Sequence, residues 1–156
     1  MHNEWKRDQL LVSTDPARLD VDAVHAFLSR AYWCIGIPRA TVERALQHSI
    51  CFGLYDDQAQ VGLARVVTDR ATFAYLCDVY VLESHRGRGL GKWLIECVMA
   101  HTATLSLRRF NLATQDALTL YARHSFKPIA HPEVWMELHK PDIYKSAAAG
   151  GNSPAR

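Results

Sequence analysis

Apolar and polar positions change their spacing several times along the chain. Gln9 to Thr14 is a short apolar run closed by Thr14, Asp15 and Pro16, which predicts a first strand followed by a turn. From Asp20 onward, Val21, Val24, His25, Leu28 and Tyr32 recur at helical spacing. Asp20 is placed to cap that helix, and Gly36 and Pro38 stop it. The segment RAYWCIGIP reads as a loop with exposed aromatics, and Thr41 to His48 as a second short helix with Val42, Ala45 and Leu46 on its apolar face.

The middle of the chain takes on a period of two. Ile50 to Tyr55, Gln60 to Thr68 and Thr72 to Leu82 are β-rich runs separated by turn residues, the pattern of an antiparallel meander. Simple alternation through the third run puts Phe73, Tyr75, Cys77, Val79 and Val81 on one face, and Ala74, Leu76, Asp78, Tyr80 and Leu82 on the other. Asp78 is the only charge in that run. Leu90, Leu94, Cys97 and Val98 return to helical spacing up to about Thr104. A strand over Arg109 to Thr114, a helix over Ala117 to His124 and a last strand over Val134 to Leu138 follow. The order β, α, α, β, β, β, α, β, α, β predicts an α/β (α+β) fold, a mixed sheet with helices packed on it. Residues 1–145 read as a single domain, and the small, polar residues 146–156 as a disordered tail.

Composition narrows the class. With 156 residues, 49% apolar and 22% charged, the chain is expected to fold by burial as one domain, not as a disordered, collagen-like or coiled-coil protein. The net charge of +2 is too balanced for a general polyanion binder, so no nucleic acid is expected as partner. Cys34, Cys51, Cys77 and Cys97 form no CxxC pair and the histidines show no metal-ligand spacing, so free thiols and no metal are expected. No secretory signal and no apolar run of roughly 18 residues is seen, so the expectation is a soluble cytoplasmic protein without a membrane partner.

The densest chemistry lies in VYVLESHRGRGLGKWLIECVM, residues 79–99, a strand leading through a glycine-rich loop into a helix. Gly87, Gly89 and Gly91 let a ligand approach the backbone, and the helix start offers unpaired N–H groups. Arg86, Arg88 and Lys92 add positive charge, so a pyrophosphate is a natural occupant. A Walker loop would need glycine at 86 and Ser or Thr at 93, where Arg86 and Trp93 stand. A dinucleotide fingerprint starting at Gly87 would need glycine or alanine where Lys92 stands, and the strands before it form a meander instead of opening a βαβ unit.

What remains, Arg86-x-x-Gly89-x-Gly91 between strand and helix, resembles the acyl-CoA signature of the GNAT superfamily of N-acetyltransferases. Asp116-Ala117-x-x-Leu120-Tyr121-x-x-x-Ser125-Phe126 is similar to the superfamily's second motif, with Asp116 and Ser125 departing from its usual Asn and Gly. The order of elements matches from about residue 9 to residue 140. The resemblance implies the GNAT fold, with a mostly antiparallel sheet whose parallel strands splay to admit the co-substrate acetyl-CoA. It places the pantetheine arm along the backbone of Val79, Tyr80 and Val81, and the pyrophosphate on Arg86, Gly87, Arg88, Gly89, Leu90, Gly91 and Lys92. It makes Tyr121 the general acid and Asp78 a candidate base, with an oxyanion donor at a strand bulge near Val79. Tyr32, Trp33 and Trp135 become acceptor-site candidates. The implied activity is direct acetyl transfer to a primary amine of a small molecule or a peptide, and a homodimer is common among similar proteins. A non-catalytic acyl-CoA-binding sensor or interaction module is the alternative.

Overall fold

The computed structural model describes residues 1–145, and the tail expected over 146–156 lies outside them. The centre is a six-stranded sheet in the order β1 (Glu4–Arg7), β2 (Leu10–Ser13), β3 (Ile50–Asp56), β4 (Ala59–Thr68), β5 (Phe73–Val81) and β6 (Arg109–Leu112). All neighbours are antiparallel except β5 and β6. The mixed, mostly antiparallel sheet expected from the sequence is therefore present. β1 is an addition: EWKR is mostly polar and gives no apolar signal, yet it pairs with β2 through a tight turn in which Asp8 takes φ +52°.

Helix α1 spans Val21–Leu28, and the Asp20 carboxylate caps it by accepting from the Ala23 N–H at 2.9 Å. It ends before Tyr32, because residues 29–37 leave the helix in successive turns, with Gly36 at φ +82°. Helix α2 (Arg39–Gln47) follows Pro38, and α3 (Leu90–Thr102) follows the glycine-rich loop. Leu94, Ile95 and Val98 of α3 are fully buried against Phe52, Leu54, Val66 and Ala74 on one face of the sheet. On the other face, Val24, Leu28, Val42 and Leu46 from α1 and α2 cover Cys51, Leu63 and Tyr80. Each fully buried Leu- or Val-sized side chain contributes about 1.5–3 kcal/mol, so both layers anchor the sheet. Helix α4 (Leu118–Ala122) is short.

Two expectations need correction. No strand forms over residues 134–138: a single 3-10 turn, Pro132–Val134, is followed by exposed, unpaired chain. The segment has strand-like residues, but no strand among the described residues pairs with it. The simple alternation expected through β5 also fails. Leu63 and Arg65 lie two residues apart on β4, while their partners Tyr80 and Cys77 lie three apart on β5. β5 thus carries one extra residue, and Asp78 sits in this bulge at φ +50°. Ala74 and Leu76 pack toward α3 before the bulge, whereas Val79 and Val81 do so after it. Gly62 accommodates the pressed-in strand, since a Cβ there would lie 2.7 Å from the Tyr80 carbonyl oxygen.

Candidate active site

The bulge and an early strand end together create a slot. β5 and β6 pair only from Phe73 with Arg109 to Leu76 with Leu112, so the backbone of β5 from Cys77 to Val81 has no strand beside it on that edge. The expected bulge near Val79 is thus present, and it re-aims the peptide groups of Asp78 and Val79 at the point where the two strands part.

Beyond Val81 the chain makes a 3-10 turn, Glu83–His85, and enters the glycine-rich loop. Gly87 and Gly89 have φ +77° and +73°, and a Cβ at either would meet no atom within 4 Å, so the loop is an open cradle. Gly89 is the N-cap of α3, and no side chain caps that end. The free N–H groups of the first turn and the positive end of the helix dipole therefore face the cradle. Arg86, Arg88 and Lys92 are exposed around it, while Leu90 is buried beneath. The donor set fits a pyrophosphate. The Arg86 Nε donates to the Val81 carbonyl oxygen at 2.9 Å, which ties the loop to the mouth of the slot. His85 braces the same turn: its Nε2 lies 2.9 Å from an Asp56 carboxylate oxygen and its Nδ1 2.8 Å from the Ser84 hydroxyl.

Tyr121 lies in α4, with its ring in the α3-side core that also receives Val79 and Val81. It packs edge-on against Phe126 at 6.0 Å. Burial first, then the Asp116 carboxylate, raise its phenol above the ordinary tyrosine range. A neutral phenol at physiological pH can give up a proton to a stronger base.

Asp78 is engaged on both oxygens. It accepts from Trp33 Nε1 at 2.9 Å and from Arg65 Nε at 2.8 Å, and Arg65 in turn donates to the Ser49 hydroxyl at 3.0 Å. The carboxylate therefore holds the Trp33 loop against the sheet, and a carboxylate's remaining lone pairs leave room for a further donor. Arg65 was missed in the sequence reading, although a lone guanidinium inside the apolar run of β4 is the same kind of signal that singled out Asp78.

Trp33 borders an open cleft of about 360 Å³ whose other walls are Leu138, His139, Lys140, Pro141, Ile143 and Tyr144. Tyr32 stacks edge-on to Trp33 at 5.0 Å and is itself 59% exposed. Trp135 is not part of this wall. With the last strand absent, its ring lies under the Arg109 guanidinium at 4.8 Å. A second cleft lies between α1 and the loop, where Phe27, Arg30 and Ala31 face Leu82, Ser84 and Arg86.

Burial pushes the thiols of Cys34, Cys51, Cys77 and Cys97 up to about 12, so each stays protonated and is a poor nucleophile at neutral pH. Among the described residues no cluster of His, Cys, Asp and Glu could hold a metal ion, and no helix is long and apolar enough to cross a membrane.

Residues 47–128 match the family model for the acetyltransferase (GNAT) domain. A curated relative from Gibberella zeae, named as a candidate acetyltransferase, is 39% identical over 141 residues, which cover 77% of this chain and 80% of the relative. A crystal structure of a candidate GNAT-family acetyltransferase from Xanthomonas campestris is 49% identical, with a TM-score of 0.84 over 89% of this chain and 99% of that one. A Clostridium acetobutylicum candidate acetyltransferase, solved with acetyl-CoA, shares the fold at 14% identity with a TM-score of 0.60, over 89% of this chain and 96% of that one.

Proposed function

The chain belongs to the GNAT family of acetyltransferases, and on that footing we propose that it transfers the acetyl group of acetyl-CoA to a primary amine by direct attack in a ternary complex. The observation that carries this reading is the coincidence, on one strand, of a bulge, an unpaired edge and a glycine-rich helix entry. Acetyl-CoA supplies a thioester already activated toward amines. The open edge of Val79, Tyr80 and Val81 offers backbone groups to the pantetheine arm, as an added strand would use them. Arg86 to Lys92 provide backbone N–H donors and cationic side chains for the pyrophosphate.

At the bulge, a peptide N–H of Asp78 or Val79 is the donor that stabilises negative charge developing on the carbonyl oxygen. Tyr121, kept neutral by burial, delivers a proton to the departing sulfur. Asp78 holds Trp33 as a wall of the acceptor site, and its spare lone pairs accept the amine proton directly or through water. The Trp33 cleft has aromatic and aliphatic walls with Lys140 at its rim, which suits a small amine carrying an apolar or anionic group. A peptide amine fits the same opening.

The test is acetyl transfer from acetyl-CoA across a panel of small and peptide amines, with Tyr121→Phe as the key variant. We expect kcat to fall about 100-fold or more with little change in the KM for acetyl-CoA, the size of a lost general acid. Because burial, then the Asp116 carboxylate, raise Tyr121 above the usual phenol range, the alkaline fall of the wild-type rate as the phenol ionises should lie at higher pH than for an ordinary tyrosine. Unchanged kcat in Tyr121→Phe would remove the tyrosine from the mechanism, and binding of acetyl-CoA without transfer to any amine would favour a sensor.

A further inference from the structure

The glycine-rich loop that would receive the pyrophosphate has freedom built into it and little to hold it. Gly87 and Gly89 lie at positive φ with open space around them, and Arg88 between them is exposed. Among the described residues, the hydrogen bonds of residues 83–89 run within their own turn, back to Leu82 and Val81, or from Trp93 in the first turn of α3. One bond alone reaches another part of the sheet. His85 Nε2 meets the Asp56 carboxylate at 2.9 Å, across 29 residues of sequence. Asp56 ends β3, and its place is set by the hairpin into β4, where it pairs with Ala59. The two side chains are largely sheltered, with exposures of 19% for His85 and 24% for Asp56.

Building on the acetyl-CoA reading of this loop, we propose that His85 and Asp56 are positioning residues for the cofactor, which hold the loop in its cradle shape before the cofactor arrives. The tautomer follows from the partners. A carboxylate only accepts, so Nε2 carries the hydrogen, and the bare Nδ1 accepts from the Ser84 hydroxyl at 2.8 Å. Both ring nitrogens are thus engaged, which fixes the ring and with it the backbone that enters the loop at Arg86. The Arg86 guanidinium is in turn tied to the Val81 carbonyl, so the start of the cradle is set from two sides. Without the Asp56 anchor, the glycine segment samples more conformations in the free protein, and the cofactor must order it on binding. The brace therefore acts on cofactor affinity and leaves the chemistry at the β5 bulge untouched.

Two replacements of His85 separate the brace from the mere presence of a side chain. Glutamine brings its amide nitrogen near the place of Nε2 and can still donate to Asp56, whereas asparagine reaches only the place of Nδ1. Calorimetry should show acetyl-CoA binding weakened about tenfold in His85→Asn and in Asp56→Ala, and kept within about threefold of wild type in His85→Gln and Asp56→Asn. Combining His85→Asn with Asp56→Ala should weaken binding no further than either change alone, because both break one contact. In acetyl transfer the loss should fall on the KM for acetyl-CoA, with kcat and the acceptor KM kept. Hydrogen exchange reads the brace without any cofactor: in the free protein the amides of residues 86–89 should exchange faster in His85→Asn and at the wild-type rate in His85→Gln. Acetyl-CoA affinity and exchange equal in wild type and His85→Asn, or additive losses in the double variant, would overturn the brace and leave the proposed function standing. Faster exchange in His85→Asn together with no acetyl-CoA binding by wild type would instead overturn the assignment to acetyl-CoA and the proposed function with it.

Discussion

Ser125 takes φ +68°, a left-handed conformation in which its Cβ crowds the backbone. It stands one residue before Phe126, at the position where glycine is usual in the motif that this chain resembles. The turn conformation is therefore kept even though the residue differs. Glycine at this position removes the steric cost but adds freedom to the unfolded chain, so the two effects nearly cancel. A β-branched residue has no such compensation. Urea denaturation should show Ser125→Gly within about 0.5 kcal/mol of the parent, and Ser125→Val destabilised by about 1–2 kcal/mol. Equal stability of the two variants would mean that the turn relaxes and that its geometry does not depend on this residue. The sequence showed the departure from the motif, but only the backbone angle shows that the departure is tolerated.

The bulge in β5 illustrates what an element owes to its neighbour. Asp78 could be singled out in the sequence as the one charge in an apolar run. That it occupies an extra residue could not, because a bulge is defined by the pairing of Leu63 and Arg65 with Tyr80 and Cys77. The charge and the bulge are linked physically. The left-handed angle at Asp78 is held by two side-chain bonds, one to Arg65 and one to Trp33. Both partners of the ion pair are largely enclosed, with side-chain exposures of 18% and 11%. Asp78→Asn keeps a side chain that tolerates this backbone angle but leaves the Arg65 guanidinium without its counter-charge. Thermal and denaturant unfolding should report a loss of about 2–3 kcal/mol, below the cost of a fully buried unpaired charge because the site is partly solvated. The acceptor KM should rise as the Trp33 wall loosens. If stability is unchanged while kcat falls steeply, Asp78 serves the proton transfer more than the architecture.

Other elements were legible to different degrees for equally specific reasons. The meander of β3, β4 and β5 and the amphipathic α3 announce themselves by period, since one face of each must be buried. β1 was invisible because a four-residue edge strand with one large apolar residue, Trp5, shows no period, and it is held by backbone pairing with β2 and by Trp5 packing on Phe52. The segment at 134–138 has the local pattern of a strand and forms none in the single chain, since pattern expresses a preference and a partner must satisfy it.

At the scale of the whole molecule, charge is unevenly placed. Arg86, Arg88 and Lys92 give residues 85–92 a charge of +3 with no acid among them, so the rest of the chain sums to −1. Such an arrangement concentrates the attraction for an anion at one place on the chain. Arg86→Glu should weaken acetyl-CoA binding by about tenfold or more in calorimetry, because it replaces a favourable phosphate partner with a repulsive one. Raising salt from 50 to 500 mM should weaken the wild-type complex and have less effect on the variant, by screening of exposed charges. Fluorescence anisotropy with duplex DNA at physiological salt should show no binding. Affinity unaltered in Arg86→Glu would place the pyrophosphate elsewhere.

By itself, the sequence determined the class of fold, the family and the loop that carries the charge, because these rest on local period, on glycine at particular positions and on cationic residues close together in the chain. Tertiary structure alone decided the bulge that redirects β5, the splay that opens its edge, the pairing of Arg65 with Asp78 across strands and the turning of Trp135 away from the Trp33 cleft. Each of these depends on contacts between residues distant in sequence, whose register is settled only when the sheet and its covering helices pack together.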